Sequence, residues 1–139
     1  MEKPLIGKKI LIVEDEVVFR SLVNNFLLAL GASTFEAGDG IDGIGYLQQH
    51  DVDLVICDLE MPRMNGIQFV EHIRTRGNSV PILIISATEN MADIAHVLRL
   101  GVQDVLLKPL KNFERFREAV YECLYPSMFT SKVEEDEQL

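Results

Sequence analysis

Lys9-Ile10-Leu11-Ile12-Val13-Glu14-Asp15 runs from an uninterrupted apolar core straight into two carboxylates. A strand apolar on both sides belongs inside a parallel sheet covered on both faces, because a sheet with one wet face shows alternation instead. Two later runs share this form: Leu54 to Cys57 leads into Asp58, and Val105 to Leu107 leads into Lys108. If the three runs are neighbouring strands, three carboxylates and one ammonium meet at the carboxyl edge of the sheet. Such an edge suits a divalent cation and a phosphoryl group.

Working outward from that stretch, Glu16 to Leu30 places Phe19, Leu22, Val23, Phe26, Leu27 and Leu30 at helical spacing. Gly31 then stops the helix with a residue suited to a left-handed C-terminal cap. The alternation continues with a strand over Ser33–Ala37, a helix over Ile41–Gln49, a strand over Val52–Cys57 and a helix over Asn65–Arg76. It ends with a strand over Pro81–Ser86, a helix over Asn90–Leu100, a strand over Asp104–Leu107 and a helix over Phe113–Leu124. The second helix is the weakest, since Gly40, Gly43 and Gly45 lower its propensity.

Strands alternating with helices imply right-handed parallel crossovers. The fold class expected is α/β, a doubly wound, flavodoxin-like five-stranded parallel sheet of order 2-1-3-4-5 flanked by five helices. In that order the ligand crevice opens beyond the first and third strands, where Glu14, Asp15 and Asp58 stand. Periodicity and charge therefore point to one place.

The 139 residues suit one ordinary core, and 47% hydrophobic with 25% charged residues is a globular composition. No apolar stretch approaches the ~20 residues of a membrane span. A net charge of -9 disfavours nucleic acid, whose binding depends on neutralising phosphates with Lys and Arg. The start at Met1-Glu2-Lys3-Pro4 has no apolar leader, so a cytoplasmic location is expected. Cys57 and Cys123 read as buried, reduced thiols. His50, His72 and His96 read as surface histidines, and Met61, Met64, Met91 and Met128 as gap-fillers. Val97, Leu98, Leu100 and Val105 read as core ahead of a partner face, and Arg63, Arg74 and Arg76 as solvated surface ahead of a set that meets an acidic partner.

Oxygen-only ligands select a hard ion, and Mg²⁺ takes one or two carboxylates while keeping waters for a phosphate. Three carboxylates, one divalent cation and the Lys108 ammonium cancel in formal charge, so a phosphoryl group can approach. Asp58, alone at the end of the central strand, is the candidate nucleophile; Glu14 and Asp15 are adjacent and suited to holding metal together. Ser86, closing the fourth strand, supplies a hydroxyl at the same edge. Pro62 restricts and Gly66 frees the loop that follows Asp58.

Glu14-Asp15, Asp58, Met61-Pro62 with Gly66, Ser86-Ala87 and Lys108-Pro109 together resemble the receiver domain of bacterial two-component response regulators, over residues 8 to 124. The resemblance implies phosphorylation of Asp58 by a histidine kinase or a small donor such as acetyl phosphate. It further implies Mg²⁺ held by Asp15, Asp58 and the Glu60 carbonyl, with Glu14 acting through water, and a phosphoryl group sensed by Ser86 and Lys108. Glu60 and Thr88 would flank that group and modulate its lifetime. Most receivers carry Tyr or Phe three residues before the lysine; here Val105 stands there, too small and stiff to swing inward.

More narrowly, Leu11 to Glu16, Ser86 to Ala95 and Cys123 to Phe129 are similar to the amino-terminal domain of an adaptor family that delivers the stationary-phase sigma factor to the ClpXP protease. That resemblance implies residues 1–124 as the receiver and residues 125–139 as the start of an interdomain linker or an acidic disordered tail, with the output domain absent. The chain would then be a signalling and adaptor module rather than an enzyme. Other classes fit less well. An FMN binder needs a Gly/Ser/Thr-rich loop where Glu14-Asp15-Glu16 stands, and an aspartyl phosphatase needs Asp where Glu60 stands. A receiver-like scaffold working without phosphate remains open because of Val105.

Overall fold

The computed structural model describes residues 4–128. Strands and helices alternate throughout: β1 (Lys9–Val13), α1 (Val17–Ala29), β2 (Ser33–Ala37), α2 (Gly40–Leu47), β3 (Leu54–Cys57), α3 (Gly66–Thr75), β4 (Ile82–Ser86), α4 (Met91–Arg99), β5 (Asp104–Leu107) and α5 (Phe113–Leu124). All strand pairs are parallel, in the order β2-β1-β3-β4-β5. This is the expected doubly wound sheet.

The sheet divides the core by residue parity. Ile10, Ile12, Leu54, Ile56, Leu83 and Ile85 face Val23 and Leu27 of α1 and Phe116 and Val120 of α5. Leu11, Val13, Val55, Cys57, Ile82 and Ile84 face Phe69, Val70 and Ile73 of α3 and Val97 of α4. Consecutive strand residues point to opposite faces, so both helical layers draw on the same unbroken runs. Complete burial of a side chain such as Phe69 or Phe116 stabilises by about 1.5–3 kcal/mol, which holds the helices more firmly than propensity does.

Local signals explain most boundaries. Gly31 adopts φ 100°, the left-handed stop expected after α1. The Asn65 side chain accepts from the Gln68 N–H while the Gln68 side chain accepts from the Asn65 N–H, a reciprocal capping box that starts α3 directly after the β3 loop. β3 begins two residues later than its apolar run. There the backbone is taken up by Asp53, whose N–H donates to the Lys9 carbonyl and whose carboxylate accepts from the Lys9 N–H, both at 2.8 Å. In α2 the glycine at 43 lies so near α3 that a Cβ would sit 2.8 Å from the Phe69 ring.

Several surface expectations are corrected. Met91 and Met128 are exposed rather than filling gaps, and Leu98 is exposed beside buried Val97, while Leu100 and Val105 are partly buried. Arg74 is not a free surface cation: its guanidinium donates to the carbonyls of Leu100, Asn78 and Gly101 at 2.8–3.1 Å. The Nε2 of His72 is buried without a hydrogen-bond partner, and His96 pairs with Glu71 at 3.1 Å. Burial keeps both cysteines as neutral thiols, pushing Cys123 up to about 12. The Tyr125 hydroxyl donates to the Pro4 carbonyl at 2.8 Å, and residues 129–139 of the expected linker or tail lie outside the described residues.

Candidate functional site

The sheet ladder continues one residue past the strands and so fixes the charged residues at its edge. Val13 is in register with Cys57, and the Asp58 N–H donates to the Val13 carbonyl at 3.1 Å. The Glu14 N–H donates to the Ala37 carbonyl and the Lys108 N–H to the Ser86 carbonyl, each at 2.9 Å. The backbones of Glu14, Asp58 and Lys108 are thereby locked, and only their side chains remain to be placed.

Those side chains converge. Lys108 Nζ lies 2.5 Å from Glu14 Oε1, 3.2 Å from Asp58 Oδ2 and 3.7 Å from Glu16 Oε2. The same ammonium stands 4.3 Å from the centre of the Phe19 ring, a cation–π contact that shields it from solvent. One carboxylate oxygen from each of Glu14, Asp15 and Asp58 lies within 4.8 Å of the others. Glu14 is 3% exposed and Asp58 6%, whereas Asp15 is open to solvent. The oxygen cluster is thus walled on the lysine side and accessible from the Asp15 side.

Burial in that wall pushes the Glu14 carboxyl up to about 7; the nearby Asp58 charge adds to this and the Lys108 hydrogen bond opposes it. Burial also acts to lower Lys108, but the hydrogen bond to Glu14 and the charges of Asp58 and Glu14 outweigh it, so its pKa rises. The ammonium stays charged. Three clustered carboxyl oxygens, all hard donors with no nitrogen or sulfur among them, match a hard divalent ion such as Mg²⁺.

Around this centre, Asp58 Oδ1 accepts from the Glu60 N–H at 3.2 Å, while the Glu60 side chain is exposed. Ser86 is fully buried at the end of β4, and its hydroxyl accepts from the Thr88 N–H at 3.3 Å. The Thr88 hydroxyl in turn accepts from the Asn90 N–H at 3.2 Å, and the Asn90 side chain caps α4 through Ala92 and Asp93. A short hydrogen-bonded ladder therefore links the hydroxyl at the site to the start of α4. Val105 packs partly buried against the α3–α4 side of the core.

Two features escape local reading of the sequence. Phe19 looks like an ordinary helix core residue but serves the lysine. Arg63 stays 55% exposed, as a surface cation does, but also pairs with Asp39 at 2.5 Å and Asp42 at 3.2 Å, partners within the chain that spacing does not reveal.

The fold, the acidic cluster and the facing lysine define a class: the chain belongs to the response regulator receiver domain family, which matches residues 10–121. Within it, the chain is 61% identical over all 139 residues to "Regulator of RpoS" of Escherichia coli (strain K12), and it spans 41% of that protein's length. Among solved structures, a response regulator receiver protein from Pseudomonas putida is 26% identical with a TM-score of 0.79, covering 83% of this chain and 96% of its own. TrrA from Thermotoga maritima, solved in complex with Mg²⁺-BeF, is 26% identical with a TM-score of 0.76, covering 84% of this chain and 99% of its own. Among the described residues, no helix is long and apolar enough to cross a membrane.

Proposed function

We propose that this chain is a phosphoacceptor receiver whose Asp58 is reversibly phosphorylated to control a protein–protein interaction. The observation that carries this reading is the Lys108 ammonium 3.2 Å from Asp58 Oδ2, set against a three-carboxylate oxygen cluster at one sheet edge. Asp15, Asp58 and the Glu60 carbonyl would hold Mg²⁺, with Glu14 reached through water. When bound, the ion neutralises phosphoryl oxygens and tolerates the crowding of like charges.

An Asp58 carboxylate oxygen attacks phosphorus in line, forming an acyl phosphate as the bond to the donor breaks and its electron pair leaves with imidazole or acetate. Lys108 remains protonated and offers its charge to the transferred group, and the Ser86 hydroxyl at the end of β4 would donate a hydrogen bond to it. Histidine kinase phosphohistidine or acetyl phosphate would serve as donor. On this reading the chain is a signalling module that transfers the phosphoryl group to itself.

The similarity to "Regulator of RpoS" supports a narrower role as the regulatory part of a cytoplasmic adaptor that delivers the stationary-phase sigma factor to ClpXP. Since the chain spans 41% of that relative, the output domain and partner contacts would lie largely outside it. With Val105 in place of an aromatic, the Ser86–Thr88–Asn90 ladder is the route by which the start of α4 would respond to phosphoryl transfer.

Incubation with Mg²⁺ and acetyl phosphate followed by intact mass measurement tests the reading. One added phosphoryl group, absent in Asp58→Ala, is expected. A chain that gains none, yet still captures the sigma factor, is a scaffold that works without phosphate.

A further inference from the structure

We infer that Arg63 is a positioning residue for the phosphoacceptor site, clamping the β3–α3 loop to the first turn of α2 through Asp39 so that Glu60 is presented to the bound cation. The inference rests on the phosphoacceptor reading given above.

Arg63 adopts φ 63°, and among the described residues it is the only non-glycine in the left-handed region. A side chain with a Cβ is strained there, and such a conformation persists only where the surroundings over-determine it. The restraint is visible. Arg63 Nε donates to Asp39 Oδ2 at 2.5 Å, and Nη2 donates to Asp42 Oδ1 at 3.2 Å.

An ion pair between two floppy surface side chains contributes little. Asp39 is different in kind, being 5% exposed and already immobilised as the N-cap of α2, where its Oδ1 accepts from the Asp42 N–H at 2.9 Å. Toward Asp39, Arg63 therefore meets a fixed target, while its own side chain and that of Asp42 stay about half exposed, at 55% and 56%. The hydrogen bond to Arg63 and the bond from Asp42 both hold the Asp39 carboxyl below its ordinary value, the helix N–H having the larger effect.

Backbone contacts repeat the same attachment. The Gly40 N–H donates to the Met64 carbonyl at 3.3 Å, and a Cβ on Gly40 would fall 2.8 Å from Met64 Cγ. At its other end the loop is pinned where the Gly66 N–H donates to the Leu59 carbonyl at 2.9 Å. Glu60, Met61 and Pro62 lie between these two anchors. Asp39 itself follows β2, whose Ala37 carbonyl holds the Glu14 N–H, so the clamp refers the loop to the same sheet edge that carries the carboxylates. Loosening Arg63 would free the segment that bears Glu60, whose N–H holds Asp58 Oδ1 at 3.2 Å, while leaving Glu14, Asp15 and Asp58 themselves unsubstituted.

The test is Mg²⁺ titration by calorimetry on the 139-residue chain, with Arg63→Ala, Asp39→Asn, the double variant and Arg63→Gly, alongside thermal melting. Asp39→Asn keeps a capping oxygen and removes the charge. Each single substitution is expected to weaken Mg²⁺ about tenfold, the usual scale for a group that orients a metal ligand. The double variant should be no weaker than the weaker single, because both changes remove one clamp. Arg63→Gly should not recover affinity, since it relieves backbone strain but abolishes the pair. At saturating Mg²⁺, phosphorylation by acetyl phosphate should return to within about twofold of wild type, the pattern of a lost binding contribution. Wild-type Mg²⁺ affinity in Arg63→Ala, or additive losses in the double variant, would overturn the inference while leaving the phosphoacceptor reading intact. A wild-type chain that binds no Mg²⁺ and gains no phosphoryl group overturns both.

Discussion

Replacing Gly66 by alanine puts a Cβ 2.1 Å from the Asp58 carbonyl oxygen, 2.7 Å from the Leu59 Cα and 2.9 Å from the Asp58 carbonyl carbon. Carbon atoms pack best at about 3.5–4.0 Å, so all three approaches lie far inside contact. Every clashing atom is backbone. No rotamer change relieves the overlap, and either β3 must slide at Asp58 or the first turn of α3 must lift. Gly66 is the first residue of α3 and has no positive φ, so alanine suffers no conformational strain of its own and the effect is purely steric.

Overpacking in a well-filled site costs about 1–3 kcal/mol, and the upper end applies here because the backbone has to move. At a few degrees per kcal/mol for a domain of this size, the melting temperature should fall by roughly 10 °C. The displaced atoms belong to Asp58, the proposed phosphoacceptor, so the apparent Mg²⁺ affinity and the rate of acetyl phosphate transfer should fall with it. Gly45→Ala is the control. A Cβ at 45 meets nothing within 4 Å, and inside α2 alanine should raise stability by about 0.5–1 kcal/mol. Circular dichroism melting of both variants with and without Mg²⁺ reads the outcome. If Gly66→Ala melts like wild type and is phosphorylated at the wild-type rate, the close seating of the loop on Asp58 is wrong.

Other expectations follow from the same geometry. Because burial raises the folded-state Glu14 carboxyl from 4.5 to about 7, the folded chain holds a proton that the unfolded chain gives up, so metal-free stability is full below about 4.5 and declines as pH rises to about 7. The loss is at most about 3 kcal/mol, and urea unfolding in EDTA at both ends of that window should show it in wild type but not in Glu14→Gln; a flat profile refutes the buried, protonating Glu14. Lys108→Gln removes the cation bridging Glu14 and Asp58, so added Mg²⁺ should raise its melting temperature by more than it raises that of wild type while phosphorylation slows; equal Mg²⁺ shifts would mean the lysine does not compensate those carboxylates. Arg74→Ala strips three carbonyl acceptors of a charged donor and should cost roughly 2 kcal/mol, with faster amide exchange around 100–103 as its signature. Glu60→Ala should alter the aspartyl-phosphate half-life in a decay assay, and an unchanged half-life removes Glu60 from any role in water access.

What could be read from the chain and what could not divides along physical lines. The strand ends were legible because doubly buried strands leave continuous apolar runs, and the charge that ends each run marks the sheet edge on which it must emerge. Glu14, Asp58 and Lys108 therefore group together in the sequence alone, and the ladder bonds from Asp58 to Val13 and from Lys108 to Ser86 show how the edge is held. α2 was legible only as a weak helix. Its glycines lower propensity, but the close approach of Gly43 to Phe69 and of Gly40 to Met64 is a tertiary demand that no local pattern records.

The arginines show the limit most clearly. An Arg after Pro62 carries no sign that its backbone will turn left-handed, since Asn or Gly is the usual occupant of such a position. Nor does spacing reveal that a residue 24 positions earlier will be buried as a helix cap and wait there with a fixed carboxylate. Surface-pair reasoning, applied to composition, prices Arg63 at almost nothing. The structure adds that one partner, Asp39, is 5% exposed and already fixed as a helix cap, while the Arg63 side chain itself is 55% exposed. The receiver edge supplies the same charged residues whichever way its loops are tied, and the tie at Arg63 is where this chain departs from a reading of strand ends alone. The charged residues stand just past the ends of β1, β3 and β5, and the loop contacts around them are brought together only by folding.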